Sequence, residues 1–210
     1  MLIKLIESSR PKTLLVGIAP VILGTAYSFS QTQKLSIPIF ILTVACTLLL
    51  QTGTNVVNEY YDFISGVDSK NRIGPMRNLQ KGTIKPHTLK LFFTMCFILS
   101  FFLGIYLMSQ GGPLIISFGI LSIITAYCYT GGPFPLSHFC LGEFLAFLFF
   151  GPIAVIGTSY LQHKFITVDL ILLSFIPGLI SATLMSLNNL RDIETDRSEE
   201  HTSESSHQII

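Results

Sequence analysis

Charge is scarce in this chain. Only 12% of its 210 residues are Asp, Glu, Lys or Arg, about half the share usual in soluble domains, and none falls between Lys90 and Glu143. That shortage excludes an ordinary soluble domain. A net charge of +1 also excludes a nucleic-acid partner, because neutralising phosphates takes a basic face. Cysteine is sparse and unpatterned: Cys46, Cys96, Cys128 and Cys140 show no CxxC spacing. The first three lie in apolar runs, where a thiol behaves as a small hydrophobe, so they read as membrane core. Met1 to Lys12 carries charges on both sides of a short apolar patch. With no small-residue cleavage site before the first long apolar run, no removable signal peptide is expected.

What is present is hydrophobic, at 50% of the residues. A helix needs about 20 apolar residues to cross a bilayer. Six segments approach that length: 13–30, 36–58, 88–109, 113–130, 142–161 and 168–189. Gly111-Gly112-Pro113 is the strong break in the long uncharged stretch, which therefore reads as two spans. The expected fold is an all-α polytopic transmembrane helix bundle of about six helices, crossing the lipid bilayer repeatedly. Pro20 and Pro177 fall inside spans, where membrane helices tolerate proline at the cost of a kink.

Positively charged loops stay in the cytoplasm. Six crossings gather Lys4, Arg10, Lys12, Lys70, Arg72, Arg77, Lys81, Lys85, Lys90, Arg191 and Arg197 on one side and leave only Lys34 and Lys164 on the other. Both termini are thus expected to be cytoplasmic. The longest polar connection, from about Asp62 to Lys85, is too short for a domain but long enough to carry function. Without repeats or a soluble second domain, residues 1–197 read as one membrane domain. Residues 198–210, SEEHTSESSHQII, change character abruptly and are expected to be a non-native or disordered tail; the run from Arg197 to Glu204 resembles a translated sequencing adapter.

Two polar clusters interrupt this pattern. Asn55, Asn58, Glu59 and Asp62 close the second span at spacings of three and four, which puts them on neighbouring helix faces. Asn188, Asp192 and Asp196 recur at steps of four at the end of the sixth, with Asn189 beside them. Both clusters stand at helix carboxyl ends on the same side, where the macrodipole favours a cation. Magnesium takes few carboxylate ligands, keeps some waters and completes its shell with phosphate oxygens. A diphosphate between the clusters would complete such a site. The loop after the first cluster supplies Lys70, Arg72, Arg77 and Lys81, and an Arg fork matches phosphate oxygens in pairs. Solvated helix ends would account for either cluster alone. They do not account for Asn55, Asn58, Asn188 and Asn189, set in or at the edge of apolar spans where polar groups are costly. Secondary transporters keep such groups at the midplane of broken, repeated helices, whereas these lie at the boundary.

The arrangement Asn58-Glu59-x-x-Asp62 with Asp68, followed by Asp192-x-x-x-Asp196, resembles the paired aspartate motifs of the UbiA superfamily of prenyltransferases. Within it the chain is most similar to the branch that prenylates 1,4-dihydroxy-2-naphthoate in menaquinone synthesis. That likeness rests on Arg10-Pro11-Lys12-Thr13-Leu14, Arg72-Ile73-Gly74-Pro75-Met76-Arg77, Tyr129-Thr130-Gly131-Gly132-Pro133-Phe134-Pro135 and Asn189-Leu190-Arg191-Asp192-Ile193-Glu194-Thr195-Asp196, and covers residues 10–197. There are three departures. Glu59 replaces the usual Asp, Lys81 sits inside a familiar Gln80-x-Gly82 segment, and the chain stops before the family's final helices.

The resemblance implies magnesium on Asn58, Glu59, Asp62, Asp192 and Asp196, with Asp62, Asp192 and Asp196 catalytic. It implies diphosphate on Arg72, Arg77 and Lys81, and substrate contacts from Asn55, Asp68, Asn188, Asn189 and Tyr129. The implied substrates are a polyprenyl diphosphate and an aromatic acceptor, 1,4-dihydroxy-2-naphthoate, in a bacterial cell membrane. A related acceptor, such as another naphthoate or homogentisate, stays open. The Gly131-Gly132-Pro133 turn reads equally as a tight connection or a substrate contact. Glu143 is either an acceptor contact or a charge at a helix N-terminus.

Overall fold

The computed structural model describes residues 1–66, 76–132, 135–139 and 141–207, leaving out the side chains of His138 and of residues 191–207. A short α1 (Leu2–Ser8) leads into α2 (Pro11–Thr32), α3 (Ile37–Ile64) and α4 (Pro86–Cys128). A single 3-10 turn (Leu136–Phe139) precedes α5 (Gly142–Leu148), α6 (Ala154–His163) and α7 (Val168–His207). Proline opens α2, α3 and α4 within their first two positions, where its missing N–H would have had no helical partner. Gln33 and Lys164 close α2 and α6 in the left-handed conformation. Their N–H groups return to Phe29 O and Tyr160 O and satisfy carbonyls that the helix end would otherwise strand.

Five helical stretches among the described residues are long and apolar enough to cross a membrane. One of them is two crossings. At 43 residues α4 would be about 64 Å long if straight, twice the roughly 30 Å hydrocarbon core. Gly112 breaks it with φ 63 and ψ −155. The two halves then run back along each other: Phe93 stacks edge-on against Tyr60 at 5.7 Å, while Tyr127 shares a 2.6 Å hydrogen bond with the adjacent Tyr61. Those partners of one helix end lie 34 residues apart on α4, some 50 Å along a straight helix. The described residues are thus all-helical, with six stretches long and apolar enough to cross, the arrangement of a multi-pass membrane protein.

Residues 142–163 form one crossing built of α5, a π turn (Phe149–Ile153) and α6. Pro152 sits in the π turn; in a regular helix its ring would collide with the carbonyl four residues back, and the wider turn relieves that clash. The backbone of α7 stays helical through His207. The second acidic cluster therefore lies in the body of a helix rather than at its end, and the macrodipole argument applies to α3 alone.

In the bundle α3 packs on α4, α2 on α6, and α5 on α7. At the α2/α6 crossing a Cβ added to Gly24 would stand 2.5 Å from Val155 O, a backbone atom that cannot swing away. Gly24→Val is expected to lower stability by at least about 1–3 kcal/mol, read as the thermal unfolding midpoint in detergent. An unchanged midpoint would show that the two helices separate without loss.

The ends of the bundle sort the charges as the sequence implies. Ser36 and Gln162 exchange two hydrogen bonds, and Lys164 donates to Gln110 O, so Lys34 and Lys164 share the end where α4 turns back. Lys4, Arg77 and Lys81 stand at the opposite end, where Lys4 donates to Thr83 O.

Candidate active site

The connection after α3 folds back onto the bundle. Leu79 and Ile84 bury themselves with Val56, Val57, Leu89 and Phe93 in a core cluster beneath the charged end. Glu59 is drawn into this packing: it is 3% exposed, and its Oε1 accepts the Leu79 N–H at 3.1 Å. Asn78, also buried, donates to Lys4 O and to Ser8 Oγ, both at 3.1 Å, tying the turn to α1.

One helical turn on, Asp62 Oδ2 accepts Arg77 Nη1 at 2.6 Å, with the two side chains 24% and 11% exposed. The same nitrogen reaches Asn58 O at 3.3 Å. Asn58 Oδ1 in turn accepts Thr130 Oγ1 at 2.5 Å. The α3 cluster, the returning connection and the end of α4 are thus joined by one polar network.

Asn55 and Gln51 extend the polar face of α3 towards the amino terminus of the chain. Asn55 Nδ2 donates to Ser9 O at 2.8 Å and Thr13 Oγ1 at 3.1 Å, and Gln51 Nε2 donates to Thr13 O at 2.6 Å. Between Ser9 and Thr13, Arg10 adopts the left-handed conformation, with φ 53 and ψ 68. A side chain in that region costs about 1–3 kcal/mol, and the following Pro11 disfavours it further by pushing its predecessor to extended geometry.

On the far wall Asn189 Nδ2 donates to Glu143 Oε1 at 2.6 Å, holding α7 to the first turn of α5. Tyr129, just past the end of α4, packs its hydroxyl over Gly142, 2.8 Å from where a Cβ would lie. Burial, then the negative charges of Glu143 and Asp62, push its phenol up to about 12.

These groups border a cavity of about 1210 Å³. Arg10, Lys12, Arg77 and Lys81 stand at its charged end with Asn58 and Asn188, while Leu107, Ile115, Phe118 and Leu161 line it towards the other end. Hard oxygen donors crowd the charged end, and no group of three or more His, Cys, Asp or Glu is assembled among the described residues. Oxygen donors of this kind are the type that magnesium takes when substrate phosphate completes its shell, and not the type that a soft metal takes.

Of the residues singled out in the sequence, Asn55, Asn58, Glu59, Arg77, Lys81, Tyr129, Asn188 and Asn189 all line this cavity. Asp62 stands behind Asn58 and Arg77 through its ion pair. Asp68 and Arg72 lie outside the described residues; Asp192 and Asp196 are placed on the backbone of α7, one and two turns beyond Asn188, and their side chains are not described. Sequence reasoning missed Gln51, Thr130 and Asn78. Gln51 was legible as a polar residue one turn before Asn55 inside an apolar span; the other two become visible only through packing.

The pattern of the UbiA prenyltransferase family matches residues 17–203. The match takes in both clusters and the first six residues of the segment read as a foreign tail. The 1,4-dihydroxy-2-naphthoate octaprenyltransferase of Haemophilus influenzae is 36% identical over 197 residues, covering 90% of this chain and 64% of its own length. The Escherichia coli protein of the same name is 35% identical over 198 residues, with 91% and 64% covered. UbiA prenyltransferase domain-containing protein 1 of Xenopus tropicalis is 28% identical over 193 residues, with 90% and 54% covered. The chain spans just under two thirds of the length of these bacterial relatives. With the shared pattern running from α2 into α7 and across both oxygen-bearing clusters, the chain belongs to the UbiA prenyltransferase family.

Proposed function

We propose that this protein transfers a polyprenyl group from polyprenyl diphosphate to 1,4-dihydroxy-2-naphthoate in menaquinone synthesis. The observation that carries the reading is the cavity, cationic and amide-lined at one end and apolar along its length. A molecule with an anionic head and a long hydrocarbon tail matches that polarity. The names of the bacterial relatives support the choice of acceptor. In this reading the allylic carbon–oxygen bond breaks, the acceptor carbon bearing the carboxylate forms the new carbon–carbon bond, and diphosphate and carbon dioxide leave. The charge pattern supports a site facing the cytoplasm, and the bacterial relatives support a bacterial cell membrane.

Arg77, Arg72 and Lys81 stabilise the departing diphosphate, an electrostatic role that gains strength where water is excluded. Asp62 keeps the Arg77 guanidinium aimed by its ion pair. The apolar wall shields the allylic cation from water, which would otherwise capture it. Asn58, Asp62, Asp192 and Asp196 are the residues that would hold magnesium; bound there, the ion supplies charge neutralisation to the diphosphate. Membranes containing the protein, given a polyprenyl diphosphate and 1,4-dihydroxy-2-naphthoate, are expected to form a lipid-soluble prenylated quinol, read as the quinone after oxidation by air, with magnesium and none with EDTA. Product with a different aromatic acceptor alone would keep the chemistry and move the pathway. No product with any acceptor, from protein shown to be inserted, would remove the reading.

A further inference from the structure

The short helix α1 has two unlike faces. Helical spacing puts Lys4, Leu5 and Ser8 on one side and Leu2, Ile3 and Ile6 on the other. The first side is docked. Asn78 Nδ2 donates to Lys4 O and Ser8 Oγ, Lys4 Nζ donates to Thr83 O at 3.4 Å, and Leu5 packs against the core cluster that holds Leu79, Ile84 and Leu89. The second side is open: Leu2, Ile3 and Ile6 are 71%, 73% and 50% exposed.

The partners of α1 set its depth. Ser9 O accepts Asn55 Nδ2, and Asn55 stands 18 residues from the far end of α3 at Ile37, about 27 Å along the helix. That is close to the roughly 30 Å of the hydrocarbon core. The count along α2 agrees. Its 22 residues span about 33 Å, and only Ser9 and Arg10 separate its start from α1. An apolar face held at that level and turned away from the bundle stands at the boundary between lipid headgroups and acyl chains. We infer that α1 is an interfacial helix, seated through Leu2, Ile3 and Ile6 in the lipid surface of the protein's own membrane. Three side chains are too few for a stable protein partner, which takes about 20–30 residues a side; a lipid surface needs only a short apolar face beside a span already anchored there. Asn78 and Thr83 belong to the connection that carries Arg77 and Lys81. Through α1 the bilayer surface therefore supports the charged end of the cavity, whatever reaction takes place in it.

The chain contains no tryptophan, so Ile3→Trp and Ile6→Trp each add a sole tryptophan reporter on this face. In the full chain reconstituted into phospholipid vesicles, both are expected to emit blue-shifted, to lose emission to lipids brominated along the acyl chain, and to resist aqueous iodide. Emission lost chiefly to iodide would put the face in water. Resistance to both quenchers would put protein over it, a second copy or another segment, and either result overturns the inference. Leu2→Ser, Ile3→Ser and Ile6→Ser together are expected to lower the thermal unfolding midpoint in the same vesicles while insertion is kept. An unchanged midpoint would show that the bilayer supports nothing through α1.

Discussion

Asp62→Asn is expected to lower prenyl transfer on the order of a hundredfold or more, the scale for removing one preorganised charge from such a site. Asparagine is the informative change. It keeps an oxygen for Arg77 Nη1, which Asp62 now engages at 2.6 Å, and removes only the charge. Alanine would instead strip that carboxylate from an Arg77 that is 11% exposed, a part-buried pair whose breaking costs less than the roughly 3–5 kcal/mol of a fully buried one but still confounds activity with folding. Turnover and thermal midpoint should be measured together. An Asp62→Asn protein with near wild-type turnover would show that no charge is needed at this position, and the proposed magnesium and diphosphate site would fall with it.

Glu59 separates a positioning role from the metal-ligand role that the resemblance implies. Its Oε1 accepts the buried Leu79 N–H, holding the returning connection against α3. Glu59→Gln preserves that acceptor and is expected to fold normally and to keep activity within a few-fold of wild type. Glu59→Ala strands the Leu79 N–H, a loss of about 1–3 kcal/mol, and opens a cavity beside Val56 and Leu79; it is expected to unfold earlier and to release the turn that presents Arg77 and Lys81. A Gln variant as stable as wild type but as impaired as Asp62→Asn would return Glu59 to the metal. The longer reach of Glu relative to Asp suits the positioning role, since the carboxylate must extend from α3 to a backbone amide 20 residues on.

The chain's own sequence determined how many crossings its described residues make and which of them share an end. Both depend on local quantities: the length of apolar runs, the break at Gly112, and the three- and four-residue spacing of Asn55, Asn58 and Asp62. What the sequence did not reveal is which polar group each residue meets. Glu59 meets Leu79, Asp62 meets Arg77, Asn58 meets Thr130, and Asn55 meets Ser9, at separations of 15 to 72 residues. Those choices follow from the fold-back of α4, the return of the connection onto α3 and the docking of α1. Helical periodicity says which way a side chain faces; only the packing of distant segments brings a partner to it.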